Sequence, residues 1–353
     1  MKIIFAVHGL GEYAQAQAVA DLLQKKKESV FFLTKDPLLK EIAFNDNFSV
    51  IEIQDHVNKT IENIEADALF LCNSHTTIAY DLVPPKKIKK VFSIDSNWLF
   101  NNKKYNSNGL HKFYTYPWID VIYAVFSRQI YEANLIENGG YYDVDNFFKK
   151  KIYCPGFIPS GRHIDSAEKQ TLREKYHINQ NEKIVSTYFG NSKFHTDAFN
   201  NMVSANVKKI KFVLNEIQGE KNINFKIQNL NTDVPDLIKN TIRFDEELSI
   251  SDLIIMHYGY GTLARVFHKK IPVISFIPPV ESNIHSNFYE LSPCINKNAI
   301  KHLFFDKFEK VELKNIIIDL LDNKESVSEI IKNQNEIFVK GEENLVDHFY
   351  KQF

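Results

Sequence analysis

The chain has 353 residues, 44% of them hydrophobic and 25% charged, with a formal net charge of −1. That balance excludes a disordered chain and supplies no global attraction for nucleic acid. A single core stops growing at about 250 to 300 residues, so two α/β domains are the default, and the scattered Cys72, Cys154 and Cys294 fit reduced thiols better than a disulfide framework or a metal site.

In chain order, Met1 to Val7 reads as a buried strand. His8-Gly9-Leu10-Gly11-Glu12 is a glycine turn opening an amphipathic helix through Lys26, and Val30 to Thr34 is the next strand. The dinucleotide fingerprint fits this unit only in part: Gly9 and Gly11 are present, Ala14 stands where the third glycine belongs, and Asp36 lies far along for the ribose acid. The apolar run Ile3 to Val7 is too short for a signal-peptide core, and no run reaches membrane-spanning length, so a cytoplasmic location is expected.

Ala68 to Cys72 and Val91 to Ile94 are strands by the same test, and Asp95 follows the second at a carboxyl end. There it can orient His8, Glu12 or a bound substrate, or simply cap the next turn. Trp118 to Phe126 reads as a further strand. The runs Lys86-Lys87-Ile88-Lys89-Lys90 and Lys149-Lys150-Lys151 read as solvated surface, with attraction to an anionic membrane as a second reading. Between Lys149 and His177 the segment Pro155-Gly156-Phe157-Ile158-Pro159-Ser160-Gly161 breaks regular structure and marks a linker.

The second half restarts the pattern. Lys183 to Phe189 is a strand followed by the loop Gly190-Asn191-Ser192, Ala198 to Ile217 is predicted helical, and Asn224 to Gln228 and Thr241 to Phe244 are predicted strands. Ser251 to Phe276 is the most informative stretch: the apolar run Leu253 to Met256, a loop from His257 to Thr262, a helix with Thr262 as its cap, and a second apolar run from Pro272. Such a βαβ unit holds a phosphate most readily at the strand's carboxyl end, against the free amides of the helix. Val311 to Leu321, Lys324 to Asn333 and Glu342 to Tyr350 are helical by spacing.

The spacing His257-x-Gly259-x-Gly261-Thr262, preceded by Ser-Asp-Leu-Ile-Ile and followed by Ile-Pro-Val-Ile, resembles the donor-binding segment of GT-B glycosyltransferases. The similarity is to the group holding the UDP-glycosyltransferases and the bacterial enzyme that adds N-acetylglucosamine to the lipid-linked wall precursor. The resemblance implies an α/β protein of two Rossmann-like domains facing a central cleft. Residues 1–157 would form an acceptor domain, 158–335 a nucleotide-sugar donor domain, and 336–353 a terminal helix packing back on the first.

It also implies that His257, Gly259, Gly261 and Thr262 hold the donor diphosphate, with Gly190 and Ser192 on phosphate or sugar, Arg243 and Phe244 at the nucleobase, and Glu281, His285 and Asn287 on the sugar hydroxyls. Two departures stand out: Glu12 occupies the place of an expected His, and Arg265 falls near the place of a ribose-binding acid. The proton acceptor is then Glu12 or His8, with Asp95 as a supporting acid. The implied reaction is inverting and metal-independent, from a UDP- or dTDP-linked sugar with no separate cofactor, to a small-molecule, glycan or lipid-linked acceptor that would bring the protein to the inner face of the membrane. An epimerase or hydrolase on the same scaffold, or a non-catalytic partner subunit, are the alternatives.

Overall fold

The computed structural model describes residues 1–53, 57–72, 85–95, 118–125, 152–158, 165–175, 178–179, 182–188, 210–214, 248–257, 260–277, 294–304, 309–337 and 340–353. Two compact units divide the chain. One comprises Met1–Gly161, Tyr260–Ala264 and Phe338–Phe353, the other Arg162–Gly259 and Arg265–Ile337.

The first unit is built on a parallel sheet in the order β3-β2-β1-β4-β5-β6-β7. Its strands are β1 (Lys2–Ala6), β2 (Ser29–Thr34), β3 (Ser49–Glu52), β4 (Ala66–Cys72), β5 (Ile88–Asp95), β6 (Val121–Ala124) and β7 (Ile152–Tyr153). The connecting helices are α1 (Leu10–Lys25), α2 (Pro37–Asn45) and α3 (Val57–Glu62). Parallel strands need helical crossovers that cover both faces, which is why β1 and β4 read as continuous apolar runs rather than as alternating ones. Register places Phe5 beside Phe32 and Phe70, and Phe70 beside Phe92. The four rings form a row across the sheet with centroids 4.7 to 5.6 Å apart. The terminal helix, Gly341–Tyr350, covers this row through Phe349, 5.4 Å from Phe70 and 5.2 Å from Phe92, and packs beside α1.

The second unit carries a parallel sheet in the order β12-β11-β10-β8-β9. The strands are β8 (Lys183–Tyr188), β9 (Ile210–Leu214), β10 (Leu253–His257), β11 (Val273–Ile277) and β12 (Lys301–Phe304), with helices α4 (Ser166–Lys175), α6 (Lys310–Asp322) and α7 (Lys324–Ile337); helix α5 (Tyr260–His268) is divided, Tyr260–Ala264 grouping with the first unit and Arg265–His268 with the second, and the terminal helix is thus α8. Val185, Leu253, Ile255, Ile274, Phe276 and Leu303 present one face of the sheet to Leu313, Ile317 and Leu320 of α6 and Ile330 of α7. At the opposite end of the strands, Arg173 of α4 donates to the carbonyls of Ile250, Asn179 and Glu182. That buried guanidinium ties the helix to the entries of β8 and β10, with its charge beside Asp252.

Two sequence expectations change here. The predicted helix from Ala198 to Ile217 contains instead strand β9, whose Ile210–Leu214 backbone pairs with Lys183–Thr187 of β8. Ile-Lys-Phe-Val-Leu is rich in β-branched and aromatic residues, and pairing with an open sheet edge outweighs the helical spacing of its neighbours. Helix α5 starts at Tyr260, so Thr262 is its third residue rather than its cap. The predicted strands at Asn224 to Gln228 and Thr241 to Phe244 lie outside the described residues.

Candidate active-site loops

In an open parallel sheet, ligands bind beyond the carboxyl ends of the strands, where the order of strands reverses direction. The first sheet reverses at β1: the chain runs outward through β2 and β3, then returns to place β4 on the other side of β1. Val7 continues the ladder by donating to the Leu33 carbonyl at 3.1 Å, and His8 and Gly9 then turn into α1. Gly9 is the N-cap, with φ −143° and ψ 167°, an extended conformation open to any residue. An added Cβ at Gly9 or Gly11 would meet nothing within 4 Å. Neither the backbone nor the packing of this turn therefore demands glycine.

Glu12 closes the turn. Its Oε2 accepts the His8 amide and, at 3.2 Å, the Gly9 amide, and the residue is 7% exposed. Glu12 is the third residue of α1 and reaches back to the N-cap amide, one half of a capping box; Gly9 has no side chain with which to supply the other half. The signal for this was present in the sequence as Gly9-x-x-Glu12, an N-cap residue with an acid three places on. His8 is half-buried, and its Nδ1 is shielded from solvent with no hydrogen-bond partner. Register aligns Ala6 with Leu71 and Leu71 with Ser93, so His8 and Asp95 extend the same row. They are two strands apart, on the order of 10 Å between backbones. Asp36 caps α2 instead, accepting from the amides of Leu38 at 2.8 Å and Leu39 at 3.4 Å.

The second sheet reverses between β8 and β10. Tyr188, the last residue of β8, pairs with Met256, and His257 ends β10 opposite Phe276 of β11. Leu253 to Met256 are fully buried, and α5 begins three residues after His257. Gly261 and Thr262 stand in the first turn of α5, where backbone amides have no helical partner. Arg265 lies in the last turn of α5, where a cation complements the negative end of the helix. Gly190, Ser192, Arg243, Phe244, Gly259, Glu281, His285 and Asn287 lie outside the described residues.

The Lys86 to Lys90 run is at the amino end of β5, roughly 23 Å along the strand from Asp95. Lys89 pairs with Asp67 at 2.7 Å and Lys90 with Asp120 at 3.3 Å, while Lys149 to Lys151 fall outside the described residues. Among the described residues no three His, Cys, Asp or Glu side chains gather as a metal site, and no helix is long and apolar enough to cross a membrane.

No protein-family model matches the chain, and no curated protein matches it. Solved structures do, over nearly its whole length. The S. aureus protein MnaA, solved with UDP, superposes with a TM-score of 0.64 at 12% identity, covering 99% of this chain and 95% of that one. The glycotransferase of kitacinnamycin gives 0.61 at 10% identity, covering 99% and 98%. A putative UDP-N-acetylglucosamine 2-epimerase from Listeria monocytogenes gives 0.60 at 14% identity, covering 99% and 97%. The fold is GT-B. As a GT-B chain it carries two Rossmann-like parallel sheets; at the reversal point of the first His8 and Gly9 turn into α1, and at that of the second β10 ends at His257 and α5 starts at Tyr260.

Proposed function

We propose that this GT-B protein transfers a sugar from a nucleotide diphosphate donor to an acceptor hydroxyl, with inversion and without a metal ion. The observation that carries the reading is the junction of β10 and α5. A strand buried on both faces delivers His257 to the reversal point of its sheet, and the helix N-terminus that follows offers unpaired amides. His257, Gly259, Gly261 and Thr262 hold the diphosphate in this proposal, aided by Gly190 and Ser192. Arg243 and Phe244 flank the base, and Glu281, His285 and Asn287 bind the sugar. The presence of UDP on the similar MnaA supports a uridine nucleotide, with thymidine as the neighbouring choice.

The acceptor binds at the first unit. Its hydroxyl oxygen bonds to the anomeric carbon as the bond to the diphosphate breaks, and the proton passes to His8. The role falls to His8 rather than Glu12 because the Glu12 carboxylate already serves two backbone amides, whereas His8 Nδ1 has no partner. Fixed amide dipoles and the α5 terminus stabilise the departing diphosphate. The paired lysines at the amino end of β5 lie at the opposite end of the strands from this chemistry, so membrane contact through them is no part of the proposal.

The similarity to a putative 2-epimerase favours one second reading, a nucleotide-sugar epimerase or hydrolase that works without a sugar acceptor. Incubation with a panel of UDP- and dTDP-sugars, with and without candidate acceptors, separates the readings. Nucleotide release that requires an acceptor is the expected result. Release without acceptor means hydrolysis, an altered sugar means epimerisation, and binding without turnover means a partner subunit. Thermal-shift titration should show stabilisation by UDP or dTDP and none by NAD, since a ligand that binds only the native state raises its stability. Stabilisation by NAD would overturn the donor assignment.

A further inference from the structure

We propose that Glu12 is the resident anion of the first glycine turn, filling the place where such a turn would take a phosphate, so that the molecule reacting beside His8 carries no phosphate at that point. The inference rests on the acceptor role proposed for the first unit and names the class of acceptor that role can serve: a hydroxyl-bearing group with no anionic substituent at that point.

Three observations carry it. A strand, a glycine turn and a helix of 16 residues make an anion site by default, because the first amides of the helix have no partners and its positive end faces the turn. In this chain a carboxylate oxygen is already there. Glu12 Oε2 accepts the amides of His8 and Gly9, which lead into the helix, and the residue is 7% exposed; as the third residue of α1 it places its charge in the first turn, beside the helix's own free amides where a phosphate would be drawn. An incoming phosphate would have to displace that oxygen and approach a like charge at hydrogen-bond range.

The backbone gives the second observation. Phosphate cradles made by glycine turns use left-handed residues to point successive amides inward. Gly9 is extended, and Gly156 is the one glycine at positive φ among the described residues. The turn thus lacks the concave shape that would compete with Glu12 for its own amides. The third observation is His8 Nδ1, buried and without a partner, which leaves the turn short of one hydrogen-bonding group and not of a counter-charge.

Tungstate is a heavy tetrahedral dianion that stands in for phosphate and is located by its anomalous scattering. Crystals of the full chain are soaked at one tungstate concentration as wild type, Glu12→Ala and Glu12→Gln. The wild type should show no tungsten peak within about 5 Å of the His8 and Gly9 amides, a hydrogen bond plus the radius of the ion. Glu12→Ala should show one. Glu12→Gln removes the charge but keeps a side chain able to hold the turn, so it decides the matter if the alanine variant does not fold, and a peak of lower occupancy is expected there. A tungsten peak at the wild-type turn overturns the proposal, as does its absence from every variant that folds. A peak at the N-terminus of α5 in the same crystals reports separately on the donor site: its absence counts against the diphosphate assignment and leaves the inference about Glu12 standing.

Discussion

The donor chemistry proposed for the second unit depends on one imidazole and on the amides that follow it. His257 ends a strand with no exposed residue between Leu253 and Met256, and its backbone pairs with Phe276 of β11. In the proposed site, replacing it removes a hydrogen-bond donor to the diphosphate. His257→Ala should therefore weaken UDP binding by about 1 to 3 kcal/mol in titration calorimetry, the scale of a charge-assisted hydrogen bond, with the folded state intact by circular dichroism. Unchanged affinity would remove His257 from the site. The types and spacing of these residues were legible before any coordinates, because glycine turns after apolar runs leave a local mark. The task of Glu12 was legible only in part: Gly9-x-x-Glu12 is a capping pattern, but an acid in the first turn of a helix reads alike as a base facing solvent or as a cap. The difference is the placement of one oxygen against the His8 and Gly9 amides.

Strands with buried apolar runs carry the clearest signal in the sequence: Ile3 to Val7 of β1 and its extension, Ala68 to Cys72 of β4 and Leu253 to Met256 of β10. Strands β3 and β12 escaped because they are short, partly exposed and lie at sheet edges, where Ser-Val-Ile-Glu and Lys-His-Leu-Phe carry too little apolar signal. Helix α8 was foreseen from its spacing, but its anchorage depends on a contact that no periodicity encodes. Gly341 donates its amide to the Phe157 carbonyl at 3.3 Å, and Asn344 Nδ2 donates to the Pro155 carbonyl at 2.9 Å. A Cβ on Gly341 would stand 2.5 Å from the Gly156 oxygen and 2.7 Å from the Phe157 oxygen, both backbone atoms. Gly341→Ala should lower stability by about 1 to 3 kcal/mol in urea unfolding, the cost of overpacking, although alanine favours a helix. Gly11→Ala is the matched control. Its Cβ meets nothing within 4 Å, so there the helical preference acts alone and stability should rise by about 0.5 to 1 kcal/mol. Equal effects at the two glycines would show that the close approach at Gly156 is not what holds α8.

For the whole molecule, a net charge of −1 makes global repulsion negligible near neutrality, so the dependence of stability on pH falls to individual buried groups. Burial raises the Glu342 carboxyl from 4.5 to about 7, partly offset by a backbone hydrogen bond, and its Oε2 has no partner. Burial likewise raises Asp21 from 3.8 to about 6, with Lys25 opposing and Asp46 adding. In both, the folded state holds the proton more tightly than the unfolded chain, so each contributes stability that is lost as pH rises through the folded value. His348, bonded to the Tyr123 hydroxyl at 3.2 Å, and His302 are both depressed below 6.5 by burial and by a neighbouring lysine, and they act the other way, losing stability as pH falls below 6.5.

The two sets oppose each other in the acid range, but above pH 6.5 the histidines are neutral in both states and Glu342 is left as the main titrating group among these four. Stability should therefore fall between pH 6 and pH 8. Glu342→Gln keeps the shape and removes the ionisation, so it should gain about 1 kcal/mol over the wild type at pH 8, a figure discounted because the residue is only partly buried. Near pH 4.5 the gain should vanish, since the wild-type carboxyl is then protonated in the fold at little cost. Thermal midpoints of the two proteins across this range test the assignment. A difference that does not change with pH would mean that Glu342 is ionised in the fold throughout, with a partner for the oxygen that here has none.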